Sequence, residues 1–173
     1  RDVTGVQTCA LPILALTLLV TGMIGRELWG EGLGRQNTFL LLSSIGLVAT
    51  AHMLMPEVAA LTGTAMAFYA LALAKRRPFR ASALLGLGIG ISFLSTGLLT
   101  AIISILTALL LPLFFKAWQS KSFATVLGLS ALIATPWLAA WPLLMWYQHP
   151  ENLALWWQTQ IQFNQPHYFY FLQ

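Results

Sequence analysis

The stretch ASALLGLGIGISFLSTGLLTAIISILTALLLPLFF, residues 81–115, runs for thirty-five residues without a charged side chain. A membrane-spanning helix needs about 20 apolar residues, so this run is too long for one crossing and too apolar for a water-facing surface. Ser95-Thr96-Gly97 near its middle supplies the turn chemistry that splits it, which predicts two short helices meeting at that tripeptide. Working outward, the basic cluster Lys75, Arg76, Arg77 and Arg80 precedes the run, and Lys116 and Lys121 follow it. Beyond these charges lie further apolar runs at residues 14–24, 38–55, 58–74 and 123–144. The pattern predicts an all-α fold, a polytopic transmembrane helix bundle of about six spans, the first of them truncated.

Composition agrees with that class. Hydrophobic residues make up 58% of the 173, charged residues only 8%, and mean hydropathy is +0.74. A soluble domain carries charge on roughly a quarter of its residues, so the chain is read as integral to a membrane. The net charge of +4 then bears on topology, and no nucleic-acid partner is expected. One cysteine, Cys9, excludes a disulfide framework within the chain and a cysteine metal cluster.

Three segments are distinguished. Residues 1–13 resemble a translated sequencing-adapter read-through and are set aside from fold reasoning; they lack an initiator Met and a small-residue cleavage site, so they are not read as a signal peptide. Residues 14–144 form the transmembrane helical domain, and residues 145–173 an outer interfacial segment that ends mid-pattern. The chain is thus expected to be a fragment of a longer protein.

With six spans, Arg26, Arg35, Lys75, Arg76, Arg77, Arg80, Lys116 and Lys121 fall on one side and no Lys or Arg of residues 14–173 falls on the other. The positive-inside rule makes the basic side cytoplasmic, in a multi-pass protein of the bacterial inner (plasma) membrane. Attraction for anionic membrane lipids is a secondary effect of the same charges. Glu57, the Ser95-Thr96-Gly97 turn and everything after about residue 144 then lie outside.

Glu57 is the only acid between Glu31 and Glu151, and it follows Met55-Pro56 at the hinge between two apolar runs. A charge at the centre of a spanning helix costs about 2.5–3.5 kcal/mol, and the hinge avoids most of this by placing the carboxylate at the membrane surface. There it can meet a metal, a hydroxyl or a phosphate. The same position equally suits a solvated acid at a helix N-terminus after proline. His52, five residues upstream, is its candidate companion and a candidate substrate-binding residue, although a hydrogen-bonded interfacial histidine explains it as well.

Five of the seven tryptophans, Trp137, Trp141, Trp146, Trp156 and Trp157, crowd the last part of the chain, and Tyr168 and Tyr170 follow. Such rings belong at the headgroup level as an aromatic belt, and they also stack on sugars. Trp156, Trp157, Asn164, His167 and Tyr168 are accordingly the candidate substrate-binding residues of this segment. Gly86, Gly88 and Gly90 follow no strand, so they are read as small residues for close helix packing and not as a dinucleotide loop. Ser95 and Thr96 lack a paired base for a nucleophile.

The order of Trp29-Gly30, an apolar span, His52-Met53-Leu54-Met55-Pro56-Glu57, a span, a basic loop, the run from Gly86 to Gly97, then Pro136-Trp137 and a Trp-rich end resembles the GT-C membrane glycosyltransferases. The branch it is most similar to is glycosyltransferase family 39, which includes aminoarabinose transferases of lipid A and protein mannosyltransferases. The resemblance implies an inverting transferase that moves a sugar from a polyprenyl-phosphate donor to a lipid, glycan or protein acceptor at the outer face. It also implies an acid in a first outer loop, absent from this chain, and a second acid in a Pro-acid motif. Glu57 matches the second, with Glu in place of the usual Asp, as a catalytic group or as a ligand to a divalent cation. Thr96 stands where many relatives carry Lys. Without the first loop, the chain by itself is expected to be inactive.

Two other classes compete. A transporter fragment would show intramembrane charges or paired broken helices near the midplane. A non-catalytic membrane scaffold would need neither the outer acid nor the aromatic, amide-rich segment.

Overall fold

The computed structural model describes residues 3–30, 32–44, 56–148 and 156–158, with backbone alone for 3–11, 117 and 148. Every element among them is helical: α1 (Val3–Trp29), α2 (Leu33–Leu42), α3 (Pro56–Leu73), α4 (Pro78–Thr96), α5 (Leu98–Phe114), a 3-10 turn (Lys116–Trp118) and α6 (Lys121–Gln148). Four helical stretches are long and apolar enough to cross a membrane: Pro12–Trp29, Pro56–Leu73, Pro78–Thr96 and Lys121–Tyr147. Helix α5, at 17 residues, is a shorter apolar helix, and α2 leads into residues 45–55, which lie outside the described set.

The break inside the long apolar run falls where the sequence places it. Helix α4 ends at Thr96, and Gly97, at φ 86° and ψ −153°, turns the chain directly into α5. Only glycine adopts that conformation without strain, and its N–H still donates to Phe93 O at 2.9 Å. The other boundaries are wider than hydropathy alone suggests. Proline opens both α3 and α4, because its fixed φ and missing N–H suit the first helical position. Arg77, just before Pro78, is accordingly extended at φ −143°, ψ 75°. Helix α1 continues past Ile24 through Arg26 and Glu27, and α2 begins at Leu33, taking Arg35 into the helix. Charged residues in the terminal turns of such helices reach the aqueous side, so charge does not end the helix where it ends the hydrophobic run.

Cross-helix contacts fix the directions within residues 1–138, the larger of two compact units. Thr17 Oγ1 lies 2.6 Å from Thr62 Oγ1 near one end, and Glu27 accepts a hydrogen bond from Arg76 at 3.0 Å at the other. Helices α1 and α3 therefore run parallel. Helix α2 returns against α1, with Thr38 Oγ1 donating to Leu18 O at 3.3 Å and a Cβ on Gly34 falling 2.7 Å from Gly22 O. Helices α3 and α4 form an antiparallel hairpin so close that a Cβ on Gly63 would lie 2.7 Å from Gly88 O, and one on Gly88 2.6 Å from Gly63 O. The chain after α5 comes back to the same end as Arg76: Trp118 Nε1 donates to Leu71 O at 3.2 Å, and the Lys75 ammonium sits 4.9 Å from the Trp118 ring.

Gly86, Gly88 and Gly90 serve packing. A Cβ on Gly86 would meet Ile133 at 2.8 Å and one on Gly90 would meet Trp137 at 2.8 Å, both on α6, whereas Gly88 faces α3. Alternate small residues thus let α4 approach two neighbours, as bilayer packing without a hydrophobic drive between helices requires. The buried hydroxyls of Thr17, Thr62, Ser82, Ser92, Ser104 and Ser130 are all satisfied. Several donate back to a carbonyl three or four residues earlier, such as Thr62 to Val58 O at 3.1 Å.

The smaller unit, residues 139–173, contributes the last part of α6 and a helical turn at 156–158 to the described set. Residues 145–148 belong to the α6 helix.

Candidate functional site

The α3–α4 hairpin sorts its charges by end. Its closed tip carries Lys75, Arg76, Arg77 and Arg80, and the Glu27–Arg76 and Trp118–Leu71 contacts bring the remaining basic segments to that tip. Its open end carries Pro56 and Glu57, both exposed, in the first turn of α3. Glu57 makes no hydrogen bond or ion pair among the described residues.

A set of hydroxyls shares that end. Thr96 Oγ1 and Thr100 Oγ1 are 2.7 Å apart across the Gly97 turn, and both reach Ser92 O, at 3.4 and 3.1 Å. Ser92 Oγ in turn touches Ala60 O at 3.5 Å. Glu57 lies three residues before Ala60 and Thr96 four residues after Ser92, so at 1.5 Å per residue they project about 4.5 and 6 Å beyond that contact. The open end therefore presents one carboxylate and a linked pair of hydroxyls. Sequence reasoning set Ser95 and Thr96 aside for want of a base. The spacing of four keeps Ser92 and Thr96 on one face of α4, and the Gly97 turn, which spacing alone does not show, brings Thr100 to them.

Of the other candidates, Trp156 and Trp157 lie in the smaller unit, with ring centroids 6.3 Å apart at 47°. Trp157 is exposed. His52, Asn164, His167 and Tyr168 lie outside the described residues. No group of three His, Cys, Asp or Glu side chains that could hold a metal occurs among the described residues. Glu57 alone does not make a divalent-cation site, which takes several oxygen ligands.

Apolar helices with charge confined to their ends define a multi-pass membrane protein. Its relatives place it further. The chain is similar to the undecaprenyl phosphate-alpha-4-amino-4-deoxy-L-arabinose arabinosyl transferase of Pseudomonas aeruginosa (strain UCBPP-PA14), 27% identical over 186 residues, covering 98% of this chain and 33% of that protein. The Pseudomonas paraeruginosa (strain DSM 24068 / PA7) protein of the same name is 27% identical over 188 residues, with the same coverage. Arabinosyl transferase 1 of Sodalis glossinidius (strain morsitans) is 30% identical over 170 residues, covering 90% of this chain and 29% of that protein. The chain spans about a third of the length of these curated relatives, and they lie in the aminoarabinose transferase branch that its motif order resembles. No protein-family model and no solved structure matches it.

Proposed function

We propose that this chain is part of an integral-membrane glycosyltransferase of the bacterial inner membrane, moving a sugar from a polyprenyl-phosphate donor to a lipid, glycan or protein acceptor at the outer face, with Glu57 as the acid that handles the acceptor. The observation that carries this reading is the exposed Glu57 carboxylate, without a partner among the described residues, at the end of the hairpin opposite all the described basic residues, in a chain similar to transferases named for undecaprenyl-phosphate aminoarabinose. The positive-inside rule assigns the basic tip to the cytoplasm and the open end to the outside.

In an inverting transfer the acceptor hydroxyl oxygen bonds to the anomeric carbon as the carbon–oxygen bond to the phosphate breaks. The hydroxyl proton passes to a base, and polyprenyl phosphate leaves with the bonding electrons. A surface carboxylate suits the proton-accepting and orienting role, and general-base assistance contributes about 10²–10⁴-fold. The open-end hydroxyls of Thr96 and Thr100 are neutral hydrogen-bonding groups within the same region. No step is assigned to a divalent cation, because the described residues at the open end supply only one carboxylate for it. Trp156 and Trp157 are the rings proposed to stack on sugar.

Glu57→Gln in the full-length protein tests the assignment. It keeps shape and removes the charge, so a mere helix-terminal role predicts near-normal turnover and a stability loss of at most about 1 kcal/mol. The proposed role predicts normal expression with transfer down about a hundredfold or more in membranes matched for protein. Wild-type turnover would refute it.

A further inference from the structure

At the basic tip, an apolar groove of about 350 Å³ runs between α1, α3 and α4. Leu19 and Met23 of α1 and Met66 of α3 wall it, Tyr69 lines it, and Arg77 and Arg80 stand at its charged end. Its volume falls within the usual range for small-ligand sites, about 300–1,000 Å³. The wall opens outward, since Leu19 is 58% exposed. Arg76 is occupied by Glu27, but Arg77 and Arg80 are exposed and have no carboxylate partner among the described residues. A groove that is apolar along a spanning helix and cationic only at the membrane surface has the charge layout of one amphiphile: hydrocarbon along the helices, an anion at the tip.

We infer that this groove binds a single anionic diacyl phospholipid from the leaflet at the basic end, one acyl chain lying along Leu19, Met23 and Met66 and the phosphodiester resting between Arg77 and Arg80. Guanidinium groups hold phosphate oxygens in paired hydrogen bonds, which a zwitterionic headgroup engages less well because its own cation competes. The site is at the opposite end of the hairpin from Glu57, so it does not depend on the proposed transfer chemistry. Its role is to hold α1 against the α3–α4 hairpin at the membrane surface.

The test is native mass spectrometry of the delipidated full-length protein, titrated with phosphatidylglycerol, phosphatidylcholine or glycerol phosphate. One phosphatidylglycerol should stay bound at concentrations where phosphatidylcholine does not. Arg77→Gln with Arg80→Gln should weaken it about thirtyfold, which corresponds to about 1 kcal/mol for each charge at 1.4 kcal/mol per tenfold. Lys121→Gln, a charge at the same end that does not line the groove, should leave it unchanged. Leu19→Trp, which fills the groove without touching a charge, should lower binding at least tenfold and provides an independent reading if the arginine variant folds poorly. Equal binding of the two lipids, an equal loss in Lys121→Gln, no effect of Leu19→Trp, or displacement by glycerol phosphate at equal concentration would each overturn the site. So would absence of any bound lipid, which would mean that another part of the full-length protein fills the groove.

Discussion

Gly88→Ala should loosen the α3–α4 hairpin although it adds a single methyl. A Cβ at Gly88 would stand 2.6 Å from Gly63 O and 2.9 Å from Ala67 N, both backbone atoms that no rotamer change can move. Restoring ordinary contact at 3.4 Å requires the two helices to part by about 0.8 Å locally, the difference between 3.4 and 2.6 Å. A gap of 0.5–1 Å forfeits about a quarter to a half of each van der Waals contact, and each is worth about 0.1–0.2 kcal/mol. Over the few tens of atom pairs in such an interface this loses about 1–3 kcal/mol, the usual range for overpacking. The better helix propensity of alanine returns up to about 1 kcal/mol, leaving a net loss of up to about 2 kcal/mol when that gain is full. Gly128→Ala is the control, because a Cβ there meets nothing within 4 Å. Thermal unfolding of the detergent-solubilised variants should place Gly88→Ala below wild type and Gly128→Ala at or above it. Equal melting temperatures for the two variants would show that the backbones do not meet as described.

Reporter fusions should place Arg77 and Lys121 in the cytoplasm and Glu57 and Gln158 outside; Arg77 and Gln158 reporting the same side would rule out the six-span topology. The Thr17–Thr62 contact at 2.6 Å should show a coupling of about 0.6 kcal/mol in a Thr17→Val and Thr62→Val double-mutant cycle, the typical value between membrane helices. Additive losses would show that each hydroxyl is satisfied by its own helix carbonyl alone, since Thr17 also donates to Ile13 O at 3.0 Å and Thr62 to Val58 O.

The helical class and the turn at Gly97 were legible because both follow from single, strong physical demands: backbone satisfaction in hydrocarbon, and a positive φ. Helix ends were less so. Hydropathy marks where a side chain meets water, whereas the helix continues until its backbone bonds find another partner, which is why α1 reaches Trp29 and α2 starts at Leu33. The division of labour among Gly86, Gly88 and Gly90 was visible only as small-residue spacing, since nothing in a sequence says which neighbour each face will meet.

The candidate site shows the same asymmetry. Glu57 stood out in the sequence by rarity, as a lone acid among apolar runs, and the structure puts it in the open. Thr96 and Thr100 did not stand out, because threonine in a membrane helix ordinarily satisfies itself against its own backbone, as Thr64 does with Ala60 O at 2.8 Å. Their significance comes from the hairpin that sets α4 against α3.

That hairpin links packing to the proposed chemistry. A catalytic carboxylate must be held to about 0.5 Å to be useful, and a side chain in the first turn of a helix is only as fixed as the helix. Glu57 lies six residues from Gly63, about 9 Å along the axis at 1.5 Å per residue, and Gly63 is where α3 meets the backbone of Gly88 and of Ser92 together with the short Ser92 hydroxyl. Contact through backbone leaves little play, because it replaces flexible side chains with atoms that cannot rotate aside. The glycines at the middle of the hairpin therefore set the position of the acid at its end relative to the Thr96–Thr100 hydroxyls. In the proposed transferase, Gly88→Ala should consequently slow transfer even in molecules that remain folded, whereas Gly128→Ala should not. Equal turnover per folded molecule in the two variants would separate the stability of the hairpin from the placement of Glu57 and refute the link.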